Sequence, residues 1–360
     1  MHPFRYQRAA DVPSAVAAVS QDPGAQFFAA GTSQVDLMQE GVQRPTRLVD
    51  VSRLPLAEVA RTPTGGLHIG ANVTNAAAAD HPLVRGTYAA VSEALHAGAS
   101  PQIRNVASMA GNVLQRTRCP YLRDPAAACN KRDPGTGCAA VAGYNRMHAI
   151  FGQTDEGATG AHTCIAVHPS DLAVALAAHE AVLHVEGPAG ARRLAFDDLH
   201  RLPGDRPDLD TTLGHGDLIV ALELPAFRGR SHYLKVRDRA SYAYALVSCA
   251  VALELDGGRI RTARVALGSV AHKPWRARAA EAMLEGQAPD GALFREAAAR
   301  ALDGAVAYRM NAYKPALGRA LVERGLRRTA GLEPLPGPAG TAFAASVGGI
   351  GGVHAPEEYA

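Results

Sequence analysis

No apolar run in this sequence approaches the ~18 residues that a membrane-spanning helix needs. Charge of neither sign dominates either, since 37 basic side chains face 34 acidic ones for a formal net charge of +3. So even a balance leaves no electrostatic footprint for nucleic acid or another large polyanion. Two common chemical signatures are missing. There is no G-x-G-x-x-G turn, which disfavours a plain nicotinamide-binding domain, and none of the 14 histidines stands in an H-E-x-x-H spacing. Cysteine is scarce, with five in 360 residues, too few and too clustered for a secreted disulfide framework. The opening Met1-His2-Pro3-Phe4-Arg5 lacks an apolar signal core, so the chain is expected to carry no export signal of its own.

What cysteine there is falls mostly in one place. Cys119, Cys129, Cys138 and Cys164 lie within residues 116–168, spaced C-x9-C-x8-C-x25-C. Asp124-Pro125, Asn130, Asp133-Pro134-Gly135 and Gly137 punctuate that stretch into turns, so it reads as irregular loop. A loop of this length with few large apolar side chains needs a cross-link or a function to order it. The spacing lacks the paired C-x2-C knuckles of structural zinc sites. Cys119 precedes Pro120, as the last cysteine of one common ferredoxin run does. Gly135 and Gly137 are expected to leave backbone N–H groups free for inorganic sulfide, and Arg116, Arg118, Lys131 and Arg132 to set positive charge around an anionic cluster. These features favour an iron–sulfur cluster over zinc, two disulfides or four unpaired thiols. Cys249 instead shares parity with Val247, Val251, Leu253 and Leu255 on an apolar strand before the turn Asp256-Gly257-Gly258, and reads as core.

The chain opens as alternating strand and helix. Residues 4–7 read as a strand, and Asp11 with Pro13 starts a helix carrying Val12, Val16 and Val19 on one face. The apolar run through Phe27, Phe28, Ala29 and Ala30 ends at Gly31-Thr32-Ser33, ahead of a helix over 34–38 and a strand over 47–51. A turn between strand end and helix start offers free N–H groups and a positive dipole end, a cradle for pyrophosphate; in isolation the same turn also serves merely as a helix cap. A strand over 67–73 and a helix marked by Tyr88, Val91 and Leu95 lead to a second small-residue turn, Ser108-Met109-Ala110-Gly111-Asn112, phosphate-sized like the first, that runs into the cysteine segment. Further on, Ser170 or Asp171 caps a helix, Lys235 ends a strand where a lysine is ordinarily solvated, and Trp275 reads as packing.

Taken together, Phe27-Phe28-Ala29-Ala30-Gly31-Thr32-Ser33, Ile69-Gly70-Ala71 and Arg104-Asn105-x2-Ser108-x2-Gly111-Asn112 resemble the FAD-binding medium subunit of the xanthine dehydrogenase family of molybdenum hydroxylases. Within it, Arg116-Thr117-Arg118-Cys119-Pro120-Tyr121, Cys129-Asn130-Lys131-Arg132 and Cys164-Ile165-Ala166-Val167-His168-Pro169-Ser170-Asp171 resemble the flavoprotein subunits of bacterial periplasmic aldehyde oxidoreductases, where an inserted loop binds a [4Fe-4S] cluster. The likeness continues through Lys235-Val236-Arg237-Asp238-Arg239-Ala240-Ser241-Tyr242 and Ala271-His272-Lys273-Pro274-Trp275-Arg276 to about residue 328. The family's pyrophosphate loop usually has two adjacent glycines, and the first is Ala30 here. Its Cβ resists φ > 0, so Ala30 is expected to be extended.

The resemblance implies an α+β fold with a two-lobed, PCMH-type FAD-binding domain, residues 1–55 forming one lobe and 56–225 the other, the iron–sulfur loop 116–168 inserted in the second. A C-terminal domain like that of the CO dehydrogenase flavoprotein follows at 229–330; the segment 331–360 matches nothing in the family and reads by composition as a flexible Gly/Pro/Ala tail. It further implies FAD contacts from Phe27, Phe28, Ala29, Ala30, Gly31, Thr32, Ser33, Gln34, Ser108, Gly111, Asn112, Asp171 and Lys235, and cluster ligation by Cys119, Cys129, Cys138 and Cys164. The implied function is electron transfer in a molybdenum-dependent aldehyde oxidoreductase, from partner clusters through FAD to an external acceptor, with no side chain of this chain acting as general acid or base. Implied partners are a large molybdenum-cofactor subunit and a small [2Fe-2S] subunit, in a heterotrimer exported folded to the periplasm by a partner's signal; the alternative location is the cytoplasm. Two other classes compete: a stand-alone FAD oxidoreductase with a structural zinc or thiol site, and a non-enzymatic iron–sulfur or zinc scaffold.

Overall fold

The computed structural model describes residues 1–153 and 162–333; the expected tail, past residue 333, lies outside the described residues. Three sheets divide the chain. The first is parallel, in the order β1-β3-β2, from β1 (Arg5–Arg8), β2 (Ala25–Phe28) and β3 (Arg47–Asp50). Its connections are α1 (Val12–Ser20) and α2 (Gln34–Gln39). Asp11 starts α1 because its carboxylate accepts from Ser14 N at 2.8 Å, and Val16 and Val19 then bury against Ala25, Val49 and Leu54.

The second sheet is antiparallel, ordered β4-β5-β8-β6-β7, from β4 (Val59–Arg61), β5 (Leu67–Gly70), β6 (Val182–Gly187), β7 (Gly190–Ala195) and β8 (Leu218–Leu224). Strand β5 stops at Gly70 rather than 73 because the chain turns there: Val73 N bonds back to Gly70 O at 3.1 Å, and Thr74 forms a bridge to Ser108. Among the described residues eight helices separate β5 from β6, namely α3 (Asn75–Asp80), α4 (Pro82–Thr87), α5 (Ala89–Ala97), α6 (Pro101–Arg104), α7 (Met109–Val113), α8 (Pro120–Arg123), α9 (Ala139–Ala142) and α10 (Asp171–Ala178). The apolar helix α10 is buried all round, as its lack of a polar face requires. Ser170 caps it by accepting from Ala173 N at 3.0 Å, which frees Asp171 for other bonds.

The third sheet, β12-β11-β10-β9, is antiparallel, from β9 (Arg230–Val236), β10 (Val247–Asp256), β11 (Arg259–Gly268) and β12 (Trp275–Arg276), and is packed by α11 (Arg278–Leu284), α12 (Gly291–Arg300) and α13 (Lys314–Ala330). The β10–β11 hairpin turns through Gly257 and Gly258, both at positive φ. Cys249 is fully buried in this core with Val247, Val251 and Leu253. Leu255 breaks the expected parity because a bulge at Glu254/Leu255 turns it to solvent. Trp275 stacks on Phe151 at 4.7 Å between ring centroids.

Candidate functional site

A cavity of about 810 Å³, within the size range of cofactor sites, is walled by segments from all three sheets. Its first wall is the turn between β2 and α2. Gly31 has φ +70°, and a Cβ there would lie 2.6 Å from the Phe28 ring, so only glycine fits. The amides of residues 31–34 donate to no acceptor among the described residues, and Ser33, at the N-cap position, makes no side-chain capping bond. Simple helix capping therefore does not explain the turn. With α2 only six residues long, the attraction for an anion comes from the free amides themselves rather than from a helix dipole. Ala30 is not among the positive-φ residues, so a side chain is tolerated where the family usually has glycine.

The second small-residue turn is built differently and corrects the expectation of a second donor loop. Met109 N bonds Val73 O at 2.9 Å, Ala110 N bonds Ala71 O at 3.1 Å, and Asn112 N bonds Ser108 O at 2.9 Å. Gly111 N is taken by Ser108 Oγ at 3.1 Å. Ser108, Gly111 and Asn112 line the cavity, but as a packed wall. Ser170 Oγ, donating at 2.6 Å, fixes the Asn112 amide.

Asp171 and Lys235 meet at the opposite wall. Lys235 Nζ lies 2.7 Å from Asp171 Oδ2 and 3.1 Å from Ala97 O, with only 4% and 8% of the two side chains exposed. A lysine at a strand end is ordinarily solvated, but β9 carries this one inward to a carboxylate at the cavity wall. The Tyr233 hydroxyl donates to the other Asp171 oxygen, and burial together with the Asp171 charge pushes that phenol well above its usual range.

Twelve of the thirteen residues expected to contact FAD line this cavity; Phe28 does not, its ring lying behind Gly31. Sequence reasoning missed much of the charged and polar lining. Arg104, Arg116, Arg118, Arg123, Lys235 and Arg239 line the cavity; Arg116 pairs with Asp210, Arg118 with Asp36, Arg123 with Glu40 and Lys235 with Asp171, which leaves Arg104 and Arg239 with no carboxylate partner among the described residues and suited to a diphosphate. Arg118 lies over the Tyr244 ring at 5.4 Å and Arg239 over Tyr242 at 5.7 Å. Buried Asn75 Oδ1 on the same wall has no hydrogen-bond partner among the described residues, a polar atom left for a ligand. The Arg118/Tyr244 pairing had no local signal, because the two lie 126 positions apart.

All four clustered cysteines line a second, small pocket, and all are free thiols. Cys129 and Cys138 face each other across an isolated β-bridge. The loop around them is ordered by polar clamps rather than by burial alone. Arg132 Nη1 donates to the carbonyls of Tyr121, Leu122 and Asp124 at 2.8–3.0 Å. Asn130 Oδ1 accepts from Gly135 N at 3.0 Å and Gly137 N at 2.8 Å. Those two amides are therefore not free for sulfide, which corrects the reading made from their sequence. The four cations also divide: Arg118 faces the cavity, Arg132 clamps carbonyls, Arg116 and Lys131 pair with Asp210, and only Lys131 lines the cysteine pocket.

Burial pushes the Cys119 thiol up to about 11, Cys164 to about 12, and Cys138 in the same direction. Those three bare thiols stay protonated, so their ligation as thiolates requires a metal to displace the protons. A tetrahedral zinc with ~2.3 Å bonds would draw its sulfurs to within about 3.8 Å of one another. Among the described residues, no three His, Cys, Asp or Glu side chains come together as ligands of a single ion. The pocket holds only about 10 Å³, so loading it would part the side chains around it. His148 Nε2 lies 3.2 Å from Cys119 Sγ, and burial, with Lys314 second, lowers its pKa to about 4.

Free backbone donors on a cationic cavity shared by two α/β lobes and a third, C-terminal sheet are the build of a dinucleotide flavoprotein. Residues 2–227 match the FAD binding domain in molybdopterin dehydrogenase, and residues 232–329 match the CO dehydrogenase flavoprotein C-terminal domain. The chain belongs to the FAD-binding medium subunits of the xanthine dehydrogenase family, and is an oxidoreductase subunit. It is 48% identical over 286 residues to the aldehyde oxidoreductase FAD-binding subunit PaoB of Escherichia coli (strain K12), covering 79% of this chain and 86% of that one. It is 23% identical to the glyceraldehyde dehydrogenase medium chain of Sulfolobus acidocaldarius, over 82% of this chain and 86% of that one. Reconstituted CO dehydrogenase from Oligotropha carboxidovorans shares the fold, with a TM-score of 0.70 at 22% identity over 92% of this chain and 99% of that one.

Proposed function

We propose that this chain is the FAD- and [4Fe-4S]-carrying electron-transfer subunit of a molybdenum-dependent aldehyde oxidoreductase. In that reading it takes electrons from [2Fe-2S] clusters of a small partner, served by a large molybdenum-cofactor subunit, and delivers them to an external acceptor. The observation that carries the flavin part is the run of unpaired amides at 31–34 on the wall of a cationic cavity. FAD bound there supplies exchange between one-electron carriers and a two-electron acceptor. The protein's share is placement: the 31–34 amides and the arginines hold the diphosphate, and the Asp171–Lys235 pair, locked by Tyr233, fixes a buried charge beside the ligand. No side chain serves as general acid or base.

The cluster assignment is supported by four free thiols lining one pocket, and the aldehyde reaction by the 48% identity to a subunit named for it. The proposed location is the periplasm, reached by export with a signal-bearing partner, on the likeness of the cysteine segment to periplasmic enzymes. Fractionation of the native host that finds the chain only in cytosol would overturn that location. Acid extraction of the purified chain is expected to release FAD with no requirement for nicotinamide, and its visible spectrum to show flavin above a broad thiolate-to-iron band. Flavin with stoichiometric zinc and no iron band would favour the stand-alone FAD oxidoreductase instead.

A further inference from the structure

Residues 115–119 carry neither helix nor strand, and from 116 onward their side chains part by parity: Arg116 and Arg118 line the flavin cavity, Thr117 and Cys119 the cysteine pocket. One thickness of backbone therefore separates the two sites. Asp210 spans them. Arg116 Nε donates to Asp210 Oδ2 at 2.6 Å, and Lys131 Nζ, on the cysteine side, donates to Oδ1 at 2.7 Å. Each oxygen of one carboxylate is thus held by a cation from a different site.

The bridge is anchored at both ends. Lys131 is buried and its Nζ also donates to Pro207 O at 2.7 Å, while Asp210 O accepts from Arg201 N at 3.1 Å beside the His200/Thr211 bridge. Removing one member of such a triad leaves a buried charge without its partner. Because the cysteine pocket has little free volume, filling it displaces its lining, of which Lys131 is part. A shift of Lys131 is passed by Asp210 to Arg116, at the cavity wall.

We propose that Asp210 is a positioning residue that couples the two sites through Arg116 and Lys131, so that FAD affinity depends on the cysteine pocket and metal retention on the cavity. The coupling rests on the cofactor assignment proposed above, and by linkage it acts equally in both directions. Its signature is a cross-effect. In the full chain depleted of flavin, Lys131→Gln is expected to weaken FAD binding by about fivefold or more, the lower range of measured site couplings, although Lys131 does not line the cavity. Arg116→Gln is expected to speed iron loss to a chelator by a similar factor, although Arg116 does not line the cysteine pocket. Asp210→Asn should do both, adding Lys131→Gln to it should weaken FAD no further, and Asp210→Glu should restore most of each. If Lys131→Gln does not fold, Lys131→Met, which keeps the stem's packing, takes its place. Wild-type FAD affinity in the folded Lys131 variant, with wild-type iron retention in Arg116→Gln, would overturn the coupling. Should the chain carry zinc, the cluster assignment falls, while the effect of Lys131→Gln on FAD affinity still decides the coupling.

Discussion

The flavin cavity and the cysteine pocket share the wall at residues 115–119, yet one is a product of the whole fold and the other of a single segment. The cavity takes its lining from all three sheets, and its central donors are backbone amides fixed by the left-handed turn at Gly31. It exists once the domains pack. The pocket takes all its cysteines from residues 119–164, and the loop between them is tied by Arg132 and Asn130 to backbone groups of the same segment. Leu122, Ala140 and Ile150 of that segment, with Ile165 beside it, are fully buried, so whatever the thiols bind adds to the order that burial and these clamps already give. The contrast teaches where each site is vulnerable: the pocket to loss of one ligand, the cavity to a change in one turn.

The sharpest way to break this contrast is at a ligand. Cys129→Ser should remove most of the ~4 irons expected for a [4Fe-4S] cluster and open the loop to protease, while most of the flavin stays bound. Cys249→Ser should keep its iron and lose only about 1–2 kcal/mol of stability for a buried hydroxyl without a designed partner. Equal iron loss in both variants would end the distinction between ligand and core cysteine. Next in size is Gly31→Asp, which forces a Cβ into the Phe28 ring and adds a negative charge beside the free amides. Flavin fluorescence titration should show FAD affinity reduced by about 100-fold, roughly 2.7 kcal/mol at ~1.36 kcal/mol per decade, with iron retention in the same sample weakened by no more than the about fivefold site coupling.

A third test separates the pocket's support from its ligands. Lys314, fully buried on α13, donates to the carbonyls of Met147, His148 and Ser269 at 3.1, 2.8 and 2.6 Å, pinning the chain beside Cys119. Lys314→Met should strand those acceptors and destabilise the protein by about 2–3 kcal/mol, read as a lower calorimetric midpoint with FAD affinity nearly unchanged. The smallest expected effect concerns pH, on the cavity's side of the molecule. Burial lowers the His179 pKa to about 3, so the folded state resists a proton that the unfolded state accepts near 6.5. Stability is therefore full above about 6.5 and falls as pH drops from there toward about 3. His179→Phe should make the thermal midpoint less steep between pH 6.5 and 5; an unchanged slope would show that His179 does not contribute.

Much of this could be read from residues before any coordinates. The strand–turn–helix around Gly31, the core cysteine at 249 and the gathering of four cysteines follow from local patterning, which dihedral needs and parity impose over short distances. What sequence could not supply was pairing across distance. Lys235 reads as a surface lysine until β9 and α10 bring it to Asp171, 64 positions away. Gly135 and Gly137 read as open amides until Asn130 folds back on them. The Ser108 turn reads as a second anion cradle, but its amides are spent on Val73, Ala71 and its own cap. In each case the local type of group was legible and its partner was not.

The central claim is that one chain holds both a flavin and a four-iron cluster on opposite faces of one stretch of backbone. It is tested most directly by quantifying FAD, iron and acid-labile sulfide in the isolated chain and recording low-temperature electron paramagnetic resonance after reduction. The account predicts about one FAD with about four irons and four sulfides per chain, and a reduced-cluster signal that disappears in Cys119, Cys129, Cys138 and Cys164 variants. FAD accompanied by stoichiometric zinc, or full iron in Cys129→Ser, would contradict it.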